Sequence, residues 1–345
     1  MTGVPAPVLA AYDASAVEVR PLGAGLINQT YLVDGGPHGR FVLQRLHPVF
    51  PPQVNEDIDA VTKHLQAAGL VTPRLMATRT GDLWVTHEGA VWRALTWVDG
   101  IGLDRLRDTE QAREAGRILA VFHRAVSGLR HEFRSVRPGV HDTARHLANL
   151  RAALETHRDH PRFATIAALA GQVLEAADGL EPLPTLPARV VHGDPKLNNI
   201  LFSPDGTRAL CLIDLDTLGR MALPLELGDA FRSWCNPAGE DSALAWFSPE
   251  LFEAAIGGYA SGAGGFVSAD EWEHILGGTL TIYVELAARF CADALNESYF
   301  GWNPQAFASR SEHNQVRAES QLNAARSLLA QRPALERVLR RVACA

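Results

Sequence analysis

The sequence predicts an α+β protein in two lobes: an N-terminal antiparallel sheet of five strands carrying one helix, then a mainly α C-terminal lobe. Three observations predict it. The first hundred residues are short β-branched or alternating segments separated by clusters such as Gly35-Gly36-Pro37. A single amphipathic stripe, Val54, Ile58, Val61 and Leu65, interrupts them and stops at Gly69. From Asp99-Gly100 onward the apolar spacing changes to long helical stretches. The lobes are therefore expected at 1–98 and 99–345.

In chain order, a short helix should open the chain. Strands follow over 17–21, 28–33 and 40–46, then the helix over 54–69, then strands over 83–88 and 90–98. Helices are expected over 109–126, 140–155, 166–179, 248–259, 268–295 and 317–331. Between them lie short apolar strands at 190–191, 200–202 and 209–213, the last two joined by the hairpin turn Ser203-Pro204-Asp205-Gly206.

The chain has 345 residues, 47% of them hydrophobic and 21% charged, which suits a packed globular protein rather than a disordered one. Its net charge of −7 offers no basic stripe for nucleic acid, so small-molecule partners are expected. The first residues lack the charged and apolar run of a secretory signal, and no run of about eighteen apolar residues suggests a membrane span. A cytoplasmic protein, monomeric or weakly dimeric, is the expectation. Cys211, Cys235, Cys291 and Cys344 lie far apart with no metal-binding spacing. The histidines at 123, 131, 141 and 146 form no i, i+4 pair, so no structural zinc is expected.

The strongest chemical signal is Val190-Val191-His192-Gly193-Asp194-Pro195-Lys196-Leu197-Asn198-Asn199-Ile200-Leu201-Phe202, followed by Ile213-Asp214-Leu215-Asp216-Thr217. Phosphoryl transfer needs a carboxylate beside the acceptor hydroxyl, ligands for a metal on the phosphates, and a cation on the transferred group. Asp194 can serve as the base, Asn199 and Asp214 as ligands for Mg²⁺, and Lys196 as the cation. Only two of the 32 basic residues, Lys63 and Lys196, are lysine, so a compact ammonium at 196 is a selected feature in an arginine-rich chain. His192 reads as scaffold for this loop. Asp216 could add a further carboxylate, and Asp229 reads as a helix N-cap.

A second signal is the glycine turn Leu22-Gly23-Ala24-Gly25-Leu26-Ile27-Asn28-Gln29-Thr30, where backbone amides can approach phosphates. Gly23, Gly25, Asn28 and Thr30 are its candidate nucleotide contacts. The strand Phe41-Val42-Leu43-Gln44-Arg45-Leu46 stands where a kinase would place its phosphate-gripping lysine, and has none. Gln44 and Arg45 remain as alternatives on opposite strand faces, with Glu56 as a possible helix partner.

These residues resemble the aminoglycoside phosphotransferase and choline kinase superfamily over nearly the whole chain, and within it most of all the N-acetylhexosamine 1-kinases. That resemblance implies a protein-kinase-like fold, ATP as phosphoryl donor and Mg²⁺ as cofactor. It makes His192-Gly193-Asp194 with Asn199 the catalytic loop, Ile213-Asp214 the metal segment, and Leu95, Trp97 and Val98 part of the adenine-binding hinge. Segments Ala288-Arg289-Phe290 and Leu295-Asn296-Glu297-Ser298-Tyr299-Phe300 are similar to the sugar-lining part of those kinases. By the same likeness Arg289, Tyr299 and Trp302 would contact a sugar, phosphorylated at its anomeric hydroxyl with Asp194 as base. An aminoglycoside or amino alcohol acceptor, or nucleotide binding without turnover, are the other readings.

Overall fold

A computed structural model describes residues 3–14, 17–23, 27–136 and 139–344. Helix α1 (Ala6–Ala11) leads into β1 (Glu18–Pro21), β2 (Gln29–Asp34) and β3 (Phe41–Arg45). Helix α2 (Val54–Ala67) follows, then β4 (Leu75–Met76), β5 (Val85–His87) and β6 (Ala90–Thr96). These strands form one antiparallel sheet in the order β1-β2-β3-β6-β4, with β5 also on β6. The sheet has six strands rather than the five expected. The addition, β4, is two residues long, too short for side-chain alternation to reveal it.

The second half begins with β7 (Ile101–Gly102) and the helices α3 (Thr109–Val126), α4 (Thr143–Thr156) and α5 (Phe163–Asp178). Strands β8 (Ala188–Val191), β9 (Ile200–Phe202), β10 (Ala209–Leu212) and β11 (Gly219–Ala222) come next. Helices α6 (Leu223–Trp234), α7 (Pro249–Ala263), α8 (Ala269–Glu273), α9 (Ile275–Asn296) and α10 (Arg310–Ala343) complete the chain. β9 and β10 form the expected hairpin, extended by β7, while β8 pairs with β11 in a separate ladder.

Three differences from the sequence reading have physical causes. Helix α6 was hidden because Pro224 and Gly228 break its propensity. Pro224 sits in the first turn, where its missing N–H costs nothing. Gly228 lets α6 touch the backbone of α9 at Gly278. The helix expected over 268–295 is two: Ser268 and Glu271 close a capping box that starts α8, and α9 restarts after His274. Helix α10 outruns its predicted span at both ends and continues through Pro333.

Helix α9 is long and apolar enough to cross a membrane, contrary to the expectation that no such stretch exists, but 83% of its apolar window is buried inside the protein. It packs against α4, α5, α6 and α10. Helices α3 and α7 cross backbone to backbone, because a Cβ on Gly116 would overlap the Ala255 carbonyl and one on Gly258 would overlap that of Arg113.

Because both overlaps are with backbone, neither can be relieved by a rotamer change. We expect Gly116→Val to cost about 1–3 kcal/mol of stability, read as a lowered urea midpoint. An unchanged midpoint would contradict the observed crossing.

Candidate active site

The loop after β8 is held by its backbone. Gly193 has φ +82°, and a Cβ there would overlap the Thr217 carbonyl, so only glycine lets the loop lie against the turn after β10. Thr217 Oγ1 donates to His192 O at 2.9 Å, and His192 Nε2 sits 2.8 Å from Ile213 O. His192 is thus scaffold, as its sequence context implied.

The brace behind the loop is Glu226 on α6, which is fully buried. It accepts from His192 N at 2.9 Å and Gly193 N at 3.0 Å, and meets His123 Nε2 at 3.3 Å. Asp229 lies in mid-helix and is not an N-cap; it accepts from Arg232 Nε at 2.8 Å. A carboxylate one turn earlier therefore does the bracing. A Glu in the apolar run Leu223-Pro224-Leu225-Glu226-Leu227 was the available signal, obscured because the helix itself was not foreseen.

On this frame the predicted loop residues converge. Lys196 Nζ donates to Asp194 Oδ2 at 2.7 Å, and Asn199 Nδ2 donates to Asp194 O at 2.8 Å and Oδ2 at 3.1 Å. Burial works to raise the Asp194 carboxyl, but the charge and hydrogen bond of Lys196, with His192 and Arg232, hold it below its ordinary value. Ile213 N donates to Asn199 O at 2.9 Å, which sets Asp214 beside Asn199. Asp214 takes the left-handed conformation, φ 61°, and opens toward water. The surrounding protein, then the charges of Asp216 and Asp194, push its carboxyl up to about 6.

The donor set suits a hard cation. With its nitrogen engaged by Asp194, the Asn199 amide has its oxygen as the remaining ligand, and Asp214 adds a carboxylate. Among the described residues no cluster of three or more His, Cys, Asp or Glu could hold a metal alone. Phosphate oxygens would have to complete the shell, as they do for a metal carried by a nucleotide.

Above the loop, the sheet presents a polar network that the sequence did not reveal. Arg93 on β6 lies opposite Gln44 on β3 and is buried. It donates through Nε and Nη2 to Gln44 Oε1 (2.9 and 2.8 Å) and through Nη1 to Asn55 Oδ1 (3.3 Å). Nη1 and Nη2 also reach the two oxygens of Asp216, at 2.5 and 2.8 Å. Asn28 Nδ2 joins Asp216 Oδ2 at 2.6 Å, and Gln44 Nε2 donates to Thr30 Oγ1 at 3.2 Å. Arg45 points the other way, exposed, with Nη1 3.4 Å from Gln29 Oε1. Glu56 pairs with Arg134 rather than with a strand cation.

Gly23 has φ +71° with open space around it, while Gly25 lies outside the described residues. Leu95, Trp97 and Val98 are half-buried at and beyond the end of β6. On the helical side, Arg289 lies over the rings of Tyr299 and Phe300, at 5.9 and 5.5 Å, and 4.0 Å from Glu285. Trp302 is half-buried nearby in sequence. The loop bearing Tyr299 is gathered by a buried carboxylate not foreseen, Asp293, which accepts from the amides of Ser298, Tyr299 and Phe300.

A family model described as APH, phosphotransferase enzyme family, matches residues 18–264, well over half of the chain. Among solved structures, an aminoglycoside phosphotransferase from Alicyclobacillus acidocaldarius subsp. acidocaldarius DSM 446 is similar at 16% identity, covering 98% of this chain and 95% of that one, with a TM-score of 0.61. A microcompartment-associated aminopropanol kinase is 18% identical over 94% of this chain and 96% of its own, at 0.62. The amicoumacin kinase hAmiN, solved with AMP-PNP, Ca²⁺ and Ami, is 13% identical over 92% and 91%, at 0.63. At these identities the likeness is one of fold, the protein-kinase-like α+β fold. The family match over residues 18–264 shows more: the chain belongs to the phosphotransferase enzyme family.

Proposed function

We propose that the enzyme transfers the γ-phosphoryl group of ATP, carried with Mg²⁺, to a sugar hydroxyl, the anomeric 1-hydroxyl of an N-acetylhexosamine or related hexose. Residues 1–98 hold the nucleotide under the glycine turn and against the hinge at Leu95, Trp97 and Val98. Residues 99–345 supply the catalytic loop and the acceptor pocket. Asp194 orients the acceptor hydroxyl and takes its proton, Asn199 and Asp214 hold the metal, and Lys196 offsets charge on the group in flight.

The observation that carries this reading is the contact of Asp194 with both Lys196 and Asn199. The choice of a neutral acceptor draws on three carboxylates on the helical side of that loop that are already matched. Asp229 and Glu240 are held by Arg232, and Glu285 by His141 and Arg289. A cationic acceptor would need an unspent carboxylate, whereas a sugar needs hydrogen-bonding groups and an apolar face such as Tyr299 or Phe300.

A coupled ADP-release assay with Mg·ATP over free sugars, N-acetylhexosamines, aminoglycosides and amino alcohols tests the acceptor class. Turnover on a sugar, with an anomeric phosphate by phosphorus NMR, is expected. Turnover only on amine-bearing alcohols would replace the acceptor assignment, and silence on all with nucleotide bound would indicate binding without turnover.

Asp194→Asn is expected to lower kcat by at least about a hundredfold, the usual worth of general-base assistance, with nucleotide affinity nearly unchanged. A variant retaining a tenth of the activity would remove Asp194 from that role. Lys196→Arg keeps the charge but substitutes a wide planar fork in a crowded site. We expect kcat to fall about tenfold or more, on the scale of positioning losses, and full activity would argue against a phosphate contact.

A further inference from the structure

The strand that should carry the phosphate-gripping cation has none free. Arg45 faces outward, and Gln44 is spent on Arg93 and Thr30. Arg93 itself is no substitute. Its guanidinium has five N–H donors, and five contacts, to Gln44, Asn55 and Asp216, are already made. It is buried at 1% exposure, as is Asp216.

Asp216 is occupied from both sides. Arg93 reaches each of its oxygens, and Asn28 donates to one of them. Of the two carboxylates in Asp214-Leu215-Asp216, only the first is exposed. The second is a joint. Through it, β6, β3 and α2 meet the turn that carries Asp214, and Asn28 brings the end of the glycine turn to the same point. Asn28 Oδ1 also accepts from His47 N at 2.9 Å, which locks its side chain in that orientation.

A buried ion pair is a poor source of stability, because desolvation offsets most of its attraction. It is an effective source of geometry when every donor and acceptor is matched. Here the matched groups come from the N-terminal sheet, from α2 and from the turn after β10.

We propose that Arg93 and Asp216 form a positioning pair for the nucleotide site: they fix the end of the glycine turn, through Asn28, relative to the metal-facing Asp214. Geometry then supplies what a strand lysine supplies elsewhere by charge, and Asp216 is not a metal ligand. The inference rests on the reading that Mg·ATP lies between the glycine turn and Asp214.

The test is calorimetric affinity for Mg·AMP-PNP, which needs no knowledge of the acceptor, measured for wild type, Arg93→Gln, Asp216→Asn, the double variant and Asn28→Ala, each with its Tm. Arg93→Gln, Asp216→Asn and Asn28→Ala should each weaken binding by about tenfold or more, the usual effect of removing a group that orients a ligand. The double variant should lose no more than the worse single one, because both break one joint. In turnover, KM for ATP should rise in parallel while KM for the acceptor stays within about twofold.

Folded Arg93→Gln with wild-type affinity would reduce the pair to a structural role, and losses that multiply in the double variant would show two independent sites. If the arginine variants fail to fold, Asn28→Ala, which leaves the pair intact, decides alone; its unchanged affinity would overturn the proposal. A wild-type protein that binds no Mg·AMP-PNP would instead remove the nucleotide reading, and the pair's role with it.

Discussion

Two backbone amides, those of His192 and Gly193, point at one carboxylate that no water reaches, Glu226. A charge so placed is costly unless its oxygens are filled. They are filled by these amides and by the His123 ring, whose other nitrogen meets Tyr259 OH at 2.9 Å. The interaction fixes the loop backbone to the core of the helical lobe. Gly193 can then press on the Thr217 carbonyl, and the side chains of Asp194 and Lys196 leave the loop in one direction. The polar groups of the site are mobile types in themselves, and their order comes from this anchor.

Two further buried carboxylates repeat the strategy in other segments. Asp216 gathers Arg93 and Asn28, and Asp293 gathers the amides of Ser298, Tyr299 and Phe300. In all three cases a loop is tied to a rigid element by donors converging on one acidic side chain. Asp214 and Tyr299, both exposed, sit in segments held by these anchors. In the proposed reading, function and support are separated residue by residue: Asp194 from Glu226, Asp214 from Asp216, Arg289 from Asp293.

This separation also explains what the sequence made legible. The residues proposed to act sit at fixed spacing between apolar strand ends, so Asp194, Lys196, Asn199 and Asp214 stand out; the structure joins the first three by hydrogen bonds and ties the strand end before Asp214 to Asn199. The sheet was readable wherever alternation ran for three or more residues, and the two-residue β4 was not. The supporting residues carry no local signal. Arg93 lies within an apolar strand and Glu226 within an apolar helix, and each becomes meaningful only through partners far along the chain, at positions 216 and 192–193. Asp229 read as an N-cap because the helix around it was not foreseen, and it is Glu226, three residues earlier, that meets the loop. Gln44 and Arg45 could not be ranked from sequence, since alternation says which face each takes and not which face is the cleft.

The central claim is that a hydroxyl is activated by Asp194 beside a metal held by Asn199 and Asp214. Its most direct test is a crystal structure with Mg·AMP-PNP and N-acetylglucosamine or N-acetylgalactosamine bound together. The account predicts the anomeric hydroxyl within about 2.6–3.2 Å of the Asp194 carboxylate, with the ion touching Asn199 and Asp214 and no contact to Asp216. A sugar bound with its hydroxyls turned away from Asp194, or an ion seated on Asp216, would contradict it.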